Sequence, residues 1–399
     1  MKLLFLLLEL SPDTTASAMY PDLMEELKNH GHEITVVAPS VNSAETALQT
    51  ERGLQVLRVK SMPIVGVHNL IKKGIGMALL PHFFKKAYKK YLGDQKFDWI
   101  FMPTPPITLI DVVSYIKQKS GAKFYLILRD IHPQSIASIG LVKHKFMYDY
   151  LAARAKKGYE IADKIGCMSQ GNIDFIASNY PELDKQKLVL LMNWQKDEGY
   201  SEPKANIREK YNLEGKTLAL FGGNIGYGQR VENIHFLAKH YKERSDVVFL
   251  VVGKGVKKAA LQQMIEADNL KNVIFFNFLP RDEYLDFIKS VDIGLISIHE
   301  KYTVPTCPSK AVSYMSLKIP IMAMINYGSD YGTIIENAGA GFWAEGDKKE
   351  KVVELFDKLL ESSELRKRMG ENGYKFYLEN LTSEHAYNAV MKEIENEKA

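Results

Sequence analysis

Residues 302–324 read YTVPTCPSKAVSYMSLKIPIMAM, and this stretch determines how the second half of the chain folds. Proline, threonine and serine fill its first part, which predicts a turn at Pro308 and places Ser309 at a helix N-cap or first turn. Apolar residues at helical spacing follow, from Ala311 to Leu317, and the run 319–323 then predicts a short buried strand. A loop, a helix and a return to a sheet together predict an α/β unit with parallel strands.

The start of this predicted helix is a candidate anion site. Unpaired backbone N–H groups and the positive end of the helix dipole point towards the preceding loop. Lys310, in the first turn, adds a full positive charge. The alternative is an ordinary α/β crossover that happens to contain a lysine. Patterns elsewhere in the sequence are needed to decide between an anion site and such a crossover.

A family resemblance rests on this same stretch. The Pro308-Ser309-Lys310 start, the helix of aromatic and small residues and the Pro-apolar strand resemble the donor-site segment of GT-B glycosyltransferases. The stretch most resembles the retaining family 4, in the branch that serves bacterial O-antigen, capsule and lipopolysaccharide synthesis. That family usually carries two glutamates eight positions apart here, and Pro305 and Ser313 occupy those positions. The resemblance therefore implies a donor site that includes Ser313 but lacks the ribose-binding carboxylate.

Length and composition limit the class of protein. A chain of 399 residues with 46% apolar and 25% charged residues predicts a soluble protein of two domains. The net charge of +4 is too small to indicate nucleic-acid binding. Two distant cysteines, Cys167 and Cys307, suit a reducing compartment better than a disulfide framework. Neither a signal peptide nor an apolar run long enough to span a membrane is expected, and no metal site is expected because carboxylates are not clustered with metal-ligand spacing.

The first half begins with a predicted βαβ unit: a strand at 2–8, a helix from about 18 to 29 and a strand at 33–38. A later predicted strand, 123–128, runs into Arg129-Asp130-Ile131-His132-Pro133. Polar residues at a strand's carboxyl end are where open α/β sheets bind ligands. This segment resembles an Asp-aromatic-Pro segment of the same glycosyltransferase branch, so Asp130 and His132 are candidate catalytic residues. Alternatively, Asp130 caps a turn and His132 packs.

A long basic segment lies between these strands. From Arg52 to Gly93 the chain holds nine Lys and Arg and neither Asp nor Glu. Its centre predicts a basic amphipathic helix with exposed aromatic residues, which suits an anionic membrane surface. The alternative is a helix whose apolar side is core and whose lysines are merely solvated. The candidate membrane or acceptor residues are Lys72, Lys73, Phe83, Phe84, Lys85, Lys86, Lys89 and Lys90.

The second half restarts the βα pattern after a polar linker, 195–206. A predicted strand, 217–221, leads into GGNIGYGQR and a helix at Val231. A Gly-rich turn between a strand and a helix lets backbone amides close on phosphate oxygens. The segment resembles the family's first C-domain loop, whose usual Arg and Lys align with Asn224 and Gln229. We expect Arg230 and Lys254 to supply the missing charge, although Arg230 also fits a surface helix position. The candidate nucleotide-sugar residues are Gly222, Gly223, Asn224, Ile225, Gly226, Gln229, Arg230, Gly253, Lys254, Phe278, Leu279, Arg281, Pro308, Ser309, Lys310 and Ser313.

The resemblance covers most of the chain and implies an α/β fold of GT-B type, with two doubly wound Rossmann-like domains facing across a cleft. We expect an acceptor-binding domain at 1–196, with a helix at about 380–399 packing back on it, and a nucleotide-sugar-binding domain at 207–379. The implied activity is retaining transfer of a sugar, expected to be a hexosamine or deoxyaminosugar, from a UDP-sugar to a polyprenyl-diphosphate-linked or other glycan acceptor. We expect a cytoplasmic protein, peripheral on the inner membrane face, that uses no cofactor or metal.

Two other classes of function fit the same residues. One is a sugar-nucleotide epimerase of GT-B architecture, which would need no lipid acceptor. The other is a catalytically silent GT-B-like partner in an assembly complex, since the family's glutamates and basic pair are missing.

Overall fold

The computed structural model describes residues 1–11, 18–40, 45–64, 70–203, 207–276 and 281–397. The chain forms two compact units, Met1–Met192 with Ser383–Ala399, and Asn193–Thr382. The first unit is therefore completed by the end of the chain, and the second is one continuous stretch.

The first unit is built on a sheet of eight described strands in the order β3-β4-β2-β1-β5-β6-β7-β8. All neighbours are parallel except β3 and β4, which form an antiparallel pair. The strands are β1 (Lys2–Leu6), β2 (Glu33–Pro39), β3 (Ala47–Glu51), β4 (Leu54–Val59), β5 (Trp99–Pro103), β6 (Lys123–Leu128), β7 (Lys164–Cys167) and β8 (Leu188–Leu190). The helices are α1 (Met19–Asn29), α2 (Leu70–Tyr91), α3 (Ile110–Ser120), α4 (Gln134–Ser138), α5 (Lys145–Ile161) and α6 (Gln170–Asn179), with short 3-10 turns at Ile107–Leu109 and Lys185–Lys187.

Almost every residue of the central strands β1 and β5 is apolar and buried, as a sheet covered on both faces requires. Helices α2, α3 and α5 pack side by side, because α2 contacts α3 and α3 contacts α5. Each of these helices follows one parallel strand and precedes another, so it runs back from the carboxyl ends of the strands. The first residues of α2 and α5 therefore lie towards the same edge of the sheet.

The second unit holds a parallel sheet of six described strands, β11-β10-β9-β12-β13-β14. The strands are β9 (Thr217–Asn224), β10 (Val247–Lys254), β11 (Val273–Phe276), β12 (Ile293–Ser297), β13 (Ile321–Ile325) and β14 (Gly341–Glu345). The helices are α7 (Ile207–Lys210), α8 (Val231–His240), α9 (Lys258–Ala267), α10 (Arg281–Ile288), α11 (Lys310–Ser316), α12 (Tyr331–Asn337), α13 (Lys349–Glu361) and α14 (Ser363–Asn380). The last helix of the chain, α15 (Ser383–Asn396), belongs to the first unit, where it contacts α1.

Three features differ from the sequence predictions. The β3–β4 hairpin, which turns at Arg52 and Gly53 with positive φ, was not predicted. Strand β9 runs on through Asn224, so Gly222 and Gly223 are strand rather than loop. The start of the predicted linker is bound to the second unit, because the side chain of Gln195 hydrogen-bonds Ser313 and Ser316.

Among the described residues, no helix has the length and apolar character needed to cross a bilayer.

Candidate active site

In the first unit, the predicted segment at the end of β6 is tied to the end of β5. The hydroxyl of Thr104 accepts a hydrogen bond from the Arg129 N–H at 3.0 Å and donates to the Asp130 carbonyl at 3.2 Å. The buried Arg129 guanidinium donates to the carbonyl of Leu191, beyond the end of β8. Three strand ends thus fix the backbone that carries Asp130 and His132, and burial raises the pKa of the Asp130 carboxyl.

His132 is held by a residue that sequence reasoning missed. Its Nδ1 lies 2.8 Å from the hydroxyl of Ser135, a buried residue on α4. Burial lowers the pKa of His132 and the charge of Asp130 opposes that shift, so a neutral imidazole is favoured near pH 7. One ring nitrogen is therefore fixed by Ser135. The sequence did contain a signal for this contact, because Ser135 lies three residues after His132 in the polar segment that follows the predicted strand 123–128.

In the second unit, glycines allow the carboxyl ends of β9 and β10 to approach closely. Gly223 pairs with Gly253 and Asn224 pairs with Lys254. Gly253 has φ +138°, and a Cβ there would overlap the carbonyl of Gly223. The Ile225 N–H donates to the Lys254 carbonyl at 3.0 Å, which starts the turn into α8. The predicted Gly-rich segment is therefore a strand end followed by a tight turn, at the sheet edge where parallel α/β proteins bind ligands.

Lys310 reaches this turn from another element. It begins α11, and its Nζ donates to Oε1 of Gln229 at 3.0 Å and lies 4.6 Å from the centre of the Phe221 ring. Burial of the ammonium lowers the pKa of Lys310 to about 7. The residue as a whole is half-buried.

Hydrogen bonds from Tyr314 and Ser313 fix helix α11 to two other segments of the second unit. Tyr314 is fully buried and its hydroxyl donates to the carbonyl of Leu220 at 3.2 Å. Ser309 occupies the predicted N-cap position of the helix, but its side chain makes no capping hydrogen bond. The helix spans only seven residues, so the charge of Lys310 contributes more here than the helix dipole. The hydroxyl of Ser313 donates to Gln195 at 2.9 Å, so it is committed to this segment of the unit.

Arg230 is already compensated by carboxylates. Its guanidinium contacts Glu300 at 2.6 Å and Glu232 at 3.3 Å, and lies 3.4 Å from the His299 ring. The structure thus favours an ion-paired Arg230 at the N-cap of α8 over a charge reserved for a diphosphate. His299 and Glu300, which follow the end of β12, were missed, although their position after a strand end was a readable signal.

The remaining predicted nucleotide residues fall in three places. Lys254 is exposed at the end of β10, beside Asn224. Pro308 and Ser309 immediately precede α11. Phe278 and Leu279 lie outside the described residues, and Arg281 is the first residue of α10.

The predicted membrane residues are divided by the packing of α2. Phe84 is fully buried, so the prediction that it is an exposed aromatic is wrong: it faces the core together with Leu80 and Tyr88. Phe83 is half-buried. Lys85 and Lys89 lie 4.3 and 5.1 Å from the centre of the Tyr115 ring. Lys85 is half-buried, whereas the other five lysines are exposed: Lys72, Lys73, Lys86, Lys89 and Lys90.

Within the described ranges, no group of three or more His, Cys, Asp or Glu side chains is arranged to hold a metal ion.

Comparison with known proteins gives relatives over most of the chain. Residues 203–376 match the family model described as "Glycosyl transferases group 1". The chain is 23% identical over 293 residues to glycosyltransferase WbjE of Pseudomonas aeruginosa, covering 72% of each chain. It is 22% identical over 338 residues to the colanic acid biosynthesis glycosyl transferase WcaI of Escherichia coli, covering 79% of this chain and 81% of the relative.

Solved structures match over nearly the full length. Sucrose-phosphate synthase from Thermosynechococcus elongatus superposes with a TM-score of 0.76 at 14% identity, covering 98% of this chain and 97% of that one. Alr3699/HepE of Anabaena, solved in complex with UDP and glucose, superposes with a TM-score of 0.70 at 12% identity, covering 99% and 100%. At these identities the likeness shows the fold alone.

Proposed function

We propose that this chain, a GT-B glycosyltransferase with a glycosyl transferases group 1 domain at 203–376, moves a sugar from a UDP-sugar to a lipid-linked acceptor in the synthesis of a bacterial surface polysaccharide. The transfer retains anomeric configuration, and the sugar is a hexosamine or a deoxyaminosugar. The choice of UDP as the nucleotide is supported by a structural neighbour that was solved with UDP and glucose.

The observation that carries this proposal is the position of the Lys310 ammonium. Its Nζ lies 3.0 Å from the side-chain oxygen of Gln229, the position that aligns with a basic residue in family 4. Lys310 thus brings a cation from α11 to the place where the turn after β9 lacks one. Glu300 and Glu232 already compensate Arg230, so Lys310 is the main candidate for binding the diphosphate.

The chemistry that follows needs few protein groups. As the sugar–oxygen bond breaks, negative charge grows on the leaving diphosphate, and Lys310 with the backbone N–H groups of the turn stabilises it. The departing phosphate oxygen takes the proton of the acceptor hydroxyl on the same face of the sugar. This route does not require the two flanking carboxylates that glycoside hydrolases use. His132 and Asp130 bind sugar or acceptor hydroxyls.

Because the proposed acceptor is lipid-linked, we expect the enzyme to act at the cytoplasmic face of the membrane. Helix α2 carries six lysines and neither Asp nor Glu, and Lys73, Lys86 and Lys90 are exposed on it. Exposed lysines near an anionic bilayer each contribute about 1 kcal/mol of attraction, which salt screens.

The donor site is tested by calorimetric titration of UDP. We expect Lys310→Ala to weaken UDP binding by about 1–3 kcal/mol, because one charge-assisted contact is lost. Lys239→Ala is the matched control: it removes the same charge from α8, where Lys239 is paired with Asp268, and should leave UDP affinity unchanged. Equal UDP affinity in Lys310→Ala and wild type would refute the assignment.

The reaction is tested by following sugar-nucleotide turnover with and without a polyprenyl-diphosphate-linked glycan. A transferase releases UDP only when the acceptor is present. Conversion of the UDP-sugar without acceptor would indicate an epimerase instead, and UDP binding without any turnover would indicate a silent partner.

A further inference from the structure

We propose that the segment Leu141–Tyr150, at the start of α5, inserts its apolar side chains into an anionic lipid surface. This inference deepens the membrane location proposed above and assigns its main apolar contact to the start of α5. The segment was not singled out by the sequence patterns.

The segment exposes large apolar side chains at unusual density. Phe146 is 71% exposed, and Leu141, Met147 and Tyr150 are also exposed. Single exposed apolar residues are ordinary, but four within ten residues form a patch of the kind that marks an interaction site. Phe146 also stacks on the ring of His144, with centroids 5.7 Å apart, so the two rings present one surface.

The first turns of α5 are only partly packed against the rest of the unit. None of residues 145–154 is buried, and the first buried residue of the helix is Ala155. Packing starts near the beginning of α3: Arg154 and Lys157 contact Asp111 at 3.2 and 2.9 Å, and a Cβ on Gly158 would overlap the side chain of Ile110. Because Ile110 and Asp111 follow the carboxyl end of β5, the earlier turns of α5 extend past this edge of the sheet.

The positive charge near Phe146 indicates that the partner surface is anionic. Residues 131–148 contain neither Asp nor Glu, and Lys143 and Lys145 precede Phe146. Lys145 does pair with Asp149 at 2.6 Å, but both side chains are more than half exposed, so this pair contributes little. Apolar side chains next to lysines suit a bilayer with anionic headgroups, where apolar burial and electrostatic attraction add.

A second exposed apolar pair lies towards the same edge of the helical layer. Ile75 and Leu79 are exposed one turn apart on α2, and both α2 and α5 contact the 3-10 turn Ile107–Leu109. Lys73 is exposed beside this pair. Both helices therefore present exposed apolar and basic side chains near their amino termini, at the same end of the helical layer.

The test is binding to vesicles of phosphatidylglycerol and phosphatidylcholine. We expect wild type to sediment with vesicles that contain phosphatidylglycerol, and Phe146→Ser/Met147→Ser to bind about tenfold or more weakly. Both residues are exposed, so the variant should keep its circular dichroism spectrum and its UDP affinity. UDP affinity reports separately on the proposed donor site, so a failed membrane test leaves that proposal standing.

Insertion itself is read by the fluorescence of a Phe146→Trp variant. We expect the emission of the new indole to shift to shorter wavelength and to be quenched by lipids brominated on their acyl chains, whereas Leu378→Trp, at an exposed position of the second unit, should show neither change. The proposal is overturned if the vesicle-bound Phe146→Trp variant is not quenched, or if the Ser variant binds vesicles as wild type does. It is also overturned if sedimentation velocity without lipid shows a wild-type dimer that Phe146→Ser dissociates, because a second copy would then cover this surface.

Discussion

At the level of single residues, Lys310 combines two properties that usually exclude each other. It is the cation at the donor turn, yet its burial lowers its pKa to about 7. Without a ligand, a large share of the molecules therefore carries a neutral Lys310 at neutral pH. A bound diphosphate favours the charged form and raises the pKa again.

This predicts a pH dependence of donor binding. Below about pH 7 Lys310 is already protonated and affinity should be flat. Above it, binding requires uptake of a proton, so affinity for a UDP-sugar should fall by up to about tenfold per pH unit until the pKa of the complex is reached. Titration calorimetry at about pH 6.5–8.5, in buffers of different ionisation enthalpy, measures both quantities. Lys310→Arg should bind without proton uptake, since arginine stays charged. A flat profile for wild type would contradict the lowered pKa.

A second residue-scale prediction concerns the end of β6. His132→Ala and Asp130→Asn should lower kcat by about 10- to 100-fold, the value of a hydrogen bond to a reacting group, while UDP affinity changes little. Ser135→Ala should lower kcat less and shift the pH profile, because Ser135 contacts the His132 ring. Full turnover in both His132→Ala and Asp130→Asn would show that these residues only shape the turn.

At the level of elements, the short helix α11 depends on residues distant in sequence. Gln195 hydrogen-bonds Ser313 and Ser316, and its N–H donates to the carbonyl of Leu381 at 3.0 Å. We expect Gln195→Ala to lower the free energy of unfolding by about 1–2 kcal/mol, because two partly buried side-chain hydrogen bonds are lost. The shift of the urea midpoint measures it. Gln263→Ala, on the exposed side of α9, should shift the midpoint little, and an equal effect of both changes would remove the special role of Gln195.

The helices and strands also show which features could be predicted from the sequence and which could not. The GT-B fold and the transferase class were predicted and are confirmed, because buried parallel strands appear as apolar runs and loops at their carboxyl ends as polar or glycine-rich segments. The end of β9 was missed because pairing with β10 extends it through Asn224. The orientation of Phe84 was missed because helical spacing shows which residues share a face but not which face meets the core. The ion pair of Arg230 with Glu300 joins residues 70 positions apart, which a single sequence does not reveal.

At the level of the whole molecule, the basic face of α2 gives a prediction separate from α5. Changing Lys85, Lys86, Lys89 and Lys90 to Glu should abolish sedimentation with anionic vesicles and leave activity on a soluble acceptor analogue intact. Two of these lysines also contact Tyr115, so the melting temperature should be measured as a control. Wild type should leave the vesicles at high salt. If the variant binds vesicles as wild type does, or loses soluble activity equally, these lysines serve the fold instead.

The second unit is an insertion within the first, and its two ends are adjacent. Gln195 and Thr382 form a parallel bridge, so the chain enters and leaves the unit at neighbouring points. We expect residues 193–382, produced alone, to fold and to bind UDP with nearly the affinity of the full chain. Size-exclusion chromatography and calorimetry test this. An unfolded product would mean that the unit needs the rest of the chain.

The return of α15 to the first unit also sets an order of assembly on the ribosome. The first unit cannot be completed until residues that follow the second unit have been synthesised, since Ser383 hydrogen-bonds Glu26, and Lys164 pairs with Glu393. The inserted unit is continuous and has emerged before α15 does. Nascent chains should therefore expose the whole second unit before α15, while the amino-terminal unit keeps the surface that α15 covers open until α15 has emerged.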